Sequence, residues 1–270
     1  MNAHIEEKLS QEPNKKVQYS LLVVLIVLIF AWSLSAISIN KTSTDGTQVA
    51  LNILKGIVSP DLNFLFDFTK TGVSYLLFET ICIGFLGTVL GAIFSIPIAF
   101  LMAPSIMPKP VYLITRFLVV IIRTIPALVY GLMFVRVTGT GPFAGVMTMS
   151  LTSIGMVSKL YVDAIETIDR GILEAMDSLG ATTYEKIRYG ILPQLMSSFV
   201  SITIYRFDMN LRDATILGLV GAGGIGSPLM FAINGYKWNQ VGSILIGLIL
   251  LILIIEVASN KIRAKLASGE

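Results

Sequence analysis

Charged side chains interrupt the apolar stretches of this sequence, and their types suit the binding of an anion. Arg123 stands three residues before Pro126 in the run RTIP, where a proline break could open a polar pocket around the guanidinium. A guanidinium donates paired hydrogen bonds that match a tetrahedral oxyanion. Arg206 and Asn210 lie one helical turn apart further along the chain. We therefore take Arg123, Pro126, Arg206 and Asn210 as candidates to line a path for an anion.

The run YRFDMNLRDA holds a second set of charges around Arg206. Arg206, Asn210 and Asp213 fall on one helical stripe, whereas Asp208 and Arg212 form an i, i+4 pair on another. A charge at the middle of a bilayer costs at least about 2.5–3.5 kcal/mol, so such residues usually face a cavity or a partner. We interpret Asp208 and Arg212 as a structural ion pair. For Arg206, pairing within the helix and lining of a path both stay open.

The residue types needed for enzymatic chemistry are scarce. Cys82 is the only cysteine and lies in an apolar stretch, which excludes a disulfide within the chain and a thiolate pair for a metal. His4 is the only histidine and belongs to a polar N-terminal stretch. Because histidine-dependent catalysis and metal binding then have no components in the apolar stretches, we predict no catalytic residues and no metal site.

A glycine-rich run, GAGGIG at residues 221–226, matches the Gly-x-Gly-x-x-Gly pattern of dinucleotide-binding proteins. That pattern binds a nucleotide only between a strand and the start of a helix, and here apolar helices are expected on both sides. We predict instead a tight external turn or a close helix contact. No Gly-x-x-x-x-Gly-Lys-Ser/Thr run occurs, so the chain is not expected to bind ATP itself.

The composition is that of an integral membrane protein. Hydrophobic residues make up 54% and charged residues 14% of the chain, and the mean hydropathy is +0.78. Several uncharged stretches are long enough to approach or cross a bilayer core of about 30 Å. We predict an all-α membrane protein with six transmembrane helices packed as a bundle. The stretches are 20–40, 80–108, 117–135 (interrupted only by Arg123), 137–158, 189–205 and 238–255.

The distribution of basic residues predicts the orientation. With a cytoplasmic N-terminus, six spans place twelve of the 20 lysines and arginines inside, five outside and three within spans. Because cytoplasmic loops carry the excess of basic residues, we expect both termini to be cytoplasmic. The first stretch follows a polar tail and lacks a small-residue cleavage site, so it is predicted to be a retained helix. The net charge of +3 is explained by this topology and requires no nucleic-acid partner.

A polar segment, EAMDSLGATTYEKIRYGILPQ at residues 174–194, separates the fourth and fifth predicted spans. Leu173, Met176 and Leu179 recur at helical spacing and predict a short helix with one apolar face. Gly180 stands where a helix end favours a residue in the left-handed region. The first arm of the segment is therefore predicted to be a helix that stops at this glycine.

The second arm also carries helix signals. Thr182 and Glu185 have the spacing of a capping box and predict the start of a second short helix. Leu192 and Pro193 predict its end, because proline lacks an amide donor and disfavours helix in the residue before it. The 174–194 segment is thus predicted to be a helix-break-helix element on the cytoplasmic surface.

This segment resembles the EAA loop of ABC importer permeases, which has a Glu-Ala-Ala triplet, a glycine four residues later and then a Leu-Pro pair. Two positions depart from that pattern: Met176 replaces the third residue of the triplet, and Gly190 stands where isoleucine is usual. Neither departure removes the helix-break-helix pattern, although an ordinary amphipathic loop is the alternative. The matching residues are Glu174, Ala175, Gly180, Leu192 and Pro193.

Residues 79–263 are more specifically similar to phosphonate ABC transporter permeases. One departure is Asp208, where that family more often has glutamate. The runs that carry the resemblance are RTIPALVYGLMFVRVTGTGPFAGV from Arg123, SIGMVSKLYVDAIE from Ser153, YRFDMNLRDATILGLVGAGGIG from Tyr205 and KIR from Lys261.

The resemblance implies a type I ABC importer permease in a bacterial cell membrane. Two copies of the chain would form the path, a cytoplasmic ABC ATPase with its own ATP and Mg would dock on the EAA loop, and an extracytoplasmic phosphonate-binding protein would deliver the substrate. The chain itself would bind no cofactor. The expected organisation is a cytoplasmic tail (1–19), an N-terminal span (20–40), an external segment (41–72), a five-helix core (73–258) and a cytoplasmic C-terminal tail (259–270).

Other functions need other features. A permease of the same fold for phosphite, phosphate or an amino acid would keep the 174–194 segment and change the path. A passive channel would need no cytoplasmic docking segment. An intramembrane enzyme would need a catalytic pair on facing helices, and Asp208 and Asp213, the carboxylates in this region, each stand next to an arginine.

Overall fold

The computed structural model describes residues 16–36 and 45–268, and this part of the chain is built from helices and turns. Two compact units are distinguished, Met1–Ala50 and Leu51–Glu270. His4, most of the N-terminal tail and the side chain of Leu173 lie outside the described residues. The helices are α1 (Lys16–Ala36), α2 (Asp45–Val58), α3 (Leu62–Leu65), α4 (Val73–Met102), α5 (Lys109–Thr124), α6 (Ala127–Thr138), α7 (Pro142–Ile165), α8 (Arg170–Ser178), α9 (Thr183–Glu185), a π-helical turn (Lys186–Ile191), α10 (Leu192–Gly218), α11 (Gly226–Asn234) and α12 (Trp238–Ser268).

Helix α1 belongs to the first unit and is apolar on all sides. None of its 21 residues is buried. A helix that is hydrophobic all round needs an apolar environment, and its length suits a membrane span. Its described residues, Lys16–Ala36, cover most of the span predicted at 20–40.

Within the described residues, four helices are long and apolar enough to cross a membrane, namely α1, α4, α7 and α12. The stretch predicted at 117–135 is divided between α5 and α6, which meet at an angle of 83°, so the break expected at Pro126 is present. Pro126 cannot donate a hydrogen bond and keeps Ile125 extended, which breaks the helix there. Counting α5 and α6 as one span gives up to five. Helix α10 has 27 residues but is less apolar, and the predicted number of six is not confirmed.

Helices α4 and α7 pack along much of their length and form the centre of the second unit. Glycines on α4 make this close approach possible. A Cβ on Gly91 would lie 2.5 Å from the Ser153 Cβ and 2.9 Å from the Ser150 carbonyl oxygen, and one on Gly87 would collide with Met149. Helix α10 packs against both α4 and α7 and so completes a three-helix core.

An apolar cluster joins the ends of α4, α7 and α10 that lie next to the 174–194 segment. Tyr161 stacks on Phe199 with a ring-centroid distance of 4.0 Å, and its hydroxyl lies 2.7 Å from the Thr203 hydroxyl. Ile191, from the π-helical turn, is buried in the same cluster. The 174–194 segment is therefore anchored directly to the helix core.

The predicted external segment, 41–72, contains α2 and α3 among its described residues. The Asp61 side chain caps α3 by accepting from the Phe64 N–H, and the Asp61 carbonyl accepts from the Ser243 hydroxyl of α12 at 2.8 Å. The backbone N–H of Thr69 and its hydroxyl both donate to the Asp67 carboxylate. These bonds, the backbone one most, lower the pKa of that carboxyl. The hydrogen bond between Ser243 and Asp61 holds the start of the short helix α3 against α12.

Candidate functional site

The first arm of the 174–194 segment is α8, which ends as the sequence predicts. Gly180 has a φ of +76°. The Ala181 N–H donates to the Met176 carbonyl at 3.0 Å, and the Gly180 N–H donates to the Asp177 carbonyl at 2.9 Å. These two bonds form a Schellman motif and satisfy carbonyls that the helix end would otherwise leave open. The predicted role of Gly180 as a left-handed helix cap is confirmed.

The second arm begins with the predicted capping box, which is also confirmed. The Thr182 N–H donates to the Glu185 carboxylate at 2.7 Å and the Thr182 hydroxyl donates to it at 2.8 Å. The Glu185 N–H donates back to the Thr182 hydroxyl at 3.3 Å. These donors, the backbone N–H first, lower the pKa of Glu185 below its usual range. The start of this arm is therefore fixed by reciprocal hydrogen bonds.

The predicted helix end at Leu192 and Pro193 is wrong. After Glu185 the chain widens into the π-helical turn and continues directly into α10, with Pro193 in the first turn of that helix. The Leu192 N–H donates to the Ile187 carbonyl, five residues back. The wider turn of the π-helix leaves room for the ring of Pro193. The Gln194 side-chain amide donates to the Gly190 carbonyl at 2.6 Å. One continuous helix thus runs from the segment into the core.

The segment presents an accessible surface that includes aromatic groups. Leu179 is 86% exposed, and Tyr184 and Tyr189 are also exposed. Glu174 and Ala175 lie exposed on α8 and Pro193 is exposed at the start of α10, whereas Leu192 is half-buried against the apolar cluster. The motif residues are therefore divided between an exposed face and an anchor.

Arg123 lies at the bend between α5 and α6. Its side chain is exposed, and its stem packs on α7, because a Cβ on Gly155 would lie 2.7 Å from the Arg123 Cγ. Pro126 is exposed and caps α6. The Tyr130 hydroxyl donates to the Ile122 carbonyl at 3.1 Å, which satisfies one carbonyl freed by the break. The bend thus presents a guanidinium on an accessible surface.

Arg206 lies in a different environment, in the interface between α10 and α7. It is 5% exposed. Its Nε donates to the Ser153 hydroxyl at 3.0 Å, and its Nη2 donates to the Thr152 hydroxyl at 3.1 Å and lies 3.8 Å from the Asp213 carboxylate. In this conformation Arg206 ties two helices together.

Asn210 extends the same set of contacts to α4. It is fully buried, and its Nδ2 donates to the Thr88 hydroxyl at 2.7 Å and to the Ser153 hydroxyl at 2.9 Å. We call Thr88, Thr152, Ser153, Arg206 and Asn210 the polar cluster. Its hydroxyl members were not predicted, because serine and threonine in an apolar helix carry no sequence signal for the helix they contact.

The predicted ion pair on the other stripe is present. The Arg212 Nη2 lies 2.8 Å from the Asp208 carboxylate and 3.5 Å from the Glu256 carboxylate of α12. Asp208 is buried, whereas the Arg212 side chain is about half exposed. The pair therefore neutralises a buried carboxylate and also connects α10 to α12, a contact that spacing within one helix does not reveal.

The glycine run 221–226 forms a tight turn between α10 and α11. Gly221, Gly223 and Gly224 have positive φ angles of 88°, 81° and 71°. The Gly224 N–H donates to the Glu79 carboxylate at 2.7 Å. The turn borders an open cavity of about 780 Å³ that includes Glu79 and Lys237 in its lining. This geometry agrees with the predicted turn and places helices, not a strand, on both sides.

Known proteins are similar to this chain in sequence and in fold. Residues 95–263, more than half of the chain, match the family "Binding-protein-dependent transport system inner membrane component". The phosphite transport system permease protein PtxC of Stutzerimonas stutzeri is 34% identical over 188 residues, which cover 69% of this chain and 68% of that protein. The phosphate-import permease protein PhnE of Mycolicibacterium smegmatis is 34% identical over 84% of this chain, which spans 41% of that relative.

A solved structure supports the same assignment of fold. The chain superposes on a chain of the MetNI methionine ABC transporter in an inward-facing conformation with a TM-score of 0.62. The match covers 72% of this chain and 95% of that chain at 22% identity, so it speaks for the fold alone. The helical bundle is therefore that of a type I ABC importer permease. From the family match and these relatives, the chain belongs to the inner-membrane components of binding-protein-dependent transport systems.

Proposed function

We propose that this chain is the path-forming subunit of an ATP-driven importer for phosphonates and related phosphorus oxyanions. The observation that carries the proposal is the 174–194 segment, an exposed helix-break-helix element whose second arm continues into the core helix α10. A cytoplasmic ATPase that binds a segment of this form could move the helices that surround the path. The subunit itself transports and does not hydrolyse ATP.

The proposed assembly has two copies of this chain, two cytoplasmic ABC ATPases that bind ATP and Mg, and an extracytoplasmic binding protein. Both termini of the chain are cytoplasmic in this proposal, and the complex lies in a bacterial cell membrane. Each negative charge moved inward against 100 mV costs about 2.3 kcal/mol before any concentration gradient is added. Uptake of an anion therefore requires an energy source, which a passive channel lacks.

Arg123 is the residue that we propose to meet the oxyanion. Its guanidinium is exposed at the bend, whereas that of Arg206 is buried and hydrogen-bonded to α7. Arg206 and Asn210 would line the path only when α10 separates from α7. Pro126 contributes by breaking the helix, and Asp208 with Arg212 remains a structural pair. Alternating access would then change which of these groups faces the substrate.

The choice of phosphonate rests on the sequence resemblance and on the relatives. PtxC is named for phosphite transport and PhnE for phosphate import, and both names concern phosphorus oxyanions. A protein of Bacillus subtilis named as a methionine import permease, MetP, is 27% identical over 50% of this chain. An amino-acid importer of the same fold is therefore the second candidate.

Uptake by the reconstituted complex tests the proposal. Vesicles that hold this chain with its ATPase and binding protein are given 2-aminoethylphosphonate, methylphosphonate, phosphite, phosphate or methionine. We expect ATP-dependent uptake of a phosphonate that requires all three proteins. Arg123→Ala should lower this uptake, while Arg136→Ala, at the exposed end of α6, should not. Uptake of methionine alone would overturn the assignment of phosphonates as the substrate. An equal loss of uptake in both arginine variants would make the role of Arg123 structural.

A further inference from the structure

The two arms of the 174–194 segment are held together by a packing contact between Met176 and Gly190. Gly190 is buried in the π-helical turn. A Cβ at this position would lie 2.5 Å from the Met176 sulfur, 3.8 Å from its Cε and 3.9 Å from the Ile172 Cγ2. The thioether of α8 therefore fills the space that a side chain at Gly190 would need.

The π-helical turn and an ion pair support this contact. π-helical turns are rare and often occur at functional positions, because they widen a helix locally. Here the widened turn places Gly190 against α8, and the Lys186 ammonium pairs with the Asp177 carboxylate across the two arms. Two different contacts thus join α8 to the π-helical turn that continues into α10.

We propose that Met176 and Gly190 act as a size-matched clasp that makes the 174–194 segment move as one body with α10. The proposal rests on the proposed function, since it concerns how that segment transmits the motion of the ATPase. Both are positioning residues and contact neither ATP nor substrate. They are also the two positions at which the sequence departs from the EAA pattern, a large residue at 176 and a small one at 190.

The chemistry of the clasp sets which variants are informative. Gly190→Ala is a poor test, because the sulfur is the far end of a flexible side chain and could shift, and alanine also favours helix. Gly190→Ile adds more volume than this shift can absorb. Met176→Ala removes the group that fills the space. The double variant Met176→Ala/Gly190→Ile exchanges the large and small residues and restores the total volume approximately.

The test is a double-mutant cycle on the reconstituted complex. The measured quantity is phosphonate imported per ATP hydrolysed, at equal amounts of bound ATPase. We expect each single variant to lower this ratio at least about threefold and the double variant to recover most of the loss, as contacting residues do in such cycles. Met196→Ala, which truncates an exposed methionine on α10, is the matched control and should keep the wild-type ratio.

A second measurement does not depend on the substrate. Cys82 is the only cysteine, so a Cys82→Ser background accepts spin labels at Ser178→Cys and Ser197→Cys, on α8 and α10. We expect the distance distribution between the labels to broaden in each single variant and to narrow again in the double variant. If wild type imports no oxyanion but the distances behave this way, the proposed substrate fails and the clasp stands.

Three results would overturn the clasp. In the first, the double variant is no better than the sum of the single variants in both measurements. In the second, the distances stay unchanged in the single variants. In the third, the single variants lose bound ATPase while the import ratio of the remaining complexes is normal, which would assign the two residues to docking and not to transmission.

Discussion

The backbone of Gly180 gives a sharp test of the 174–194 segment. Its φ is +76°, and among the described residues no atom beyond the two chain neighbours lies within 4 Å of the position that a Cβ would take. A Cβ would therefore meet no steric obstacle from the described part of the chain. What remains is the backbone cost of placing an L-residue in the left-handed region, about 1–2 kcal/mol.

The alternative for such a variant is to unwind the cap. Unwinding would break the Schellman bonds of the Ala181 and Gly180 N–H groups, and each hydrogen bond contributes about 0.5–1.5 kcal/mol. A penalty of about 1–2 kcal/mol lowers the ratio of native to unwound cap roughly 5- to 30-fold. Because the two routes then cost about the same, the variant should populate both, and about half of the molecules should keep the native cap.

We therefore expect Gly180→Ala and Gly180→Val to lower ATP-dependent uptake about twofold or more at equal amounts of inserted protein. Gly180→Asn should retain much more activity, because asparagine adopts the left-handed region readily. Ser178→Ala, at the exposed last residue of α8 and two residues before Gly180, is the control. Equal loss in the asparagine and valine variants would refute the backbone argument and indicate a side-chain clash with the ATPase. Full activity in all three would show that the cap is not needed.

Substitutions at three further positions test the core and the second arm. Asn210→Ala should lower the free energy of unfolding by about 1–3 kcal/mol, because the buried hydroxyls of Thr88 and Ser153 lose their donor. Asn234→Ala, at an exposed position, is the control and should leave the free energy of unfolding unchanged. Thermal unfolding in detergent measures both variants. Gly91→Leu should prevent the close packing of α4 and α7, because a Cβ there would lie 2.9 Å from a backbone oxygen, and normal thermal stability would contradict this. Glu185→Gln should keep the capping box, whereas Glu185→Ala should loosen it. The pKa of Glu185 is lowered, so the stability that its carboxylate gives to the capping box is complete above pH 4.5, the usual pKa of a glutamate. That stability is lost as the pH falls through the lowered pKa. The mobility of a spin label in the segment should therefore rise only below pH 4.5.

The local signals of the sequence were sufficient for the first arm and for the start of the second. Gly180, Thr182 and Glu185 act within a few residues of the chain, so their spacing determines the caps that the structure contains. The ion pair of Asp208 and Arg212 was predictable for the same reason, since both residues belong to one helix.

Features that depend on contacts between distant parts of the chain were missed. Pro193 predicts the end of a helix, but the π-helical turn before it lets the helix continue through the proline. Nothing in the local sequence predicts that turn. The proline at 126 predicts a break in the helix, but nothing near it in the sequence predicts the angle of 83°. The contacts of Asn210 with Thr88 and Ser153 join three helices, and hydropathy does not encode which polar groups meet.

Helix α10 connects the two features that the proposed function needs. One end continues from the π-helical turn and the clasp, and the polar cluster begins at Arg206, about 21 Å from Leu192 along the helix at 1.5 Å per residue. Arg206 and Asn210 bind hydroxyls of α7 and α4, so α10 cannot shift past these helices without exchanging those hydrogen bonds. In the proposed complex, a displacement of the segment by the ATPase would pass along α10 through the apolar cluster and then reach the polar cluster. This order explains how a cytoplasmic motion could change the groups that face the path while Arg123, on the bend between α5 and α6, stays accessible.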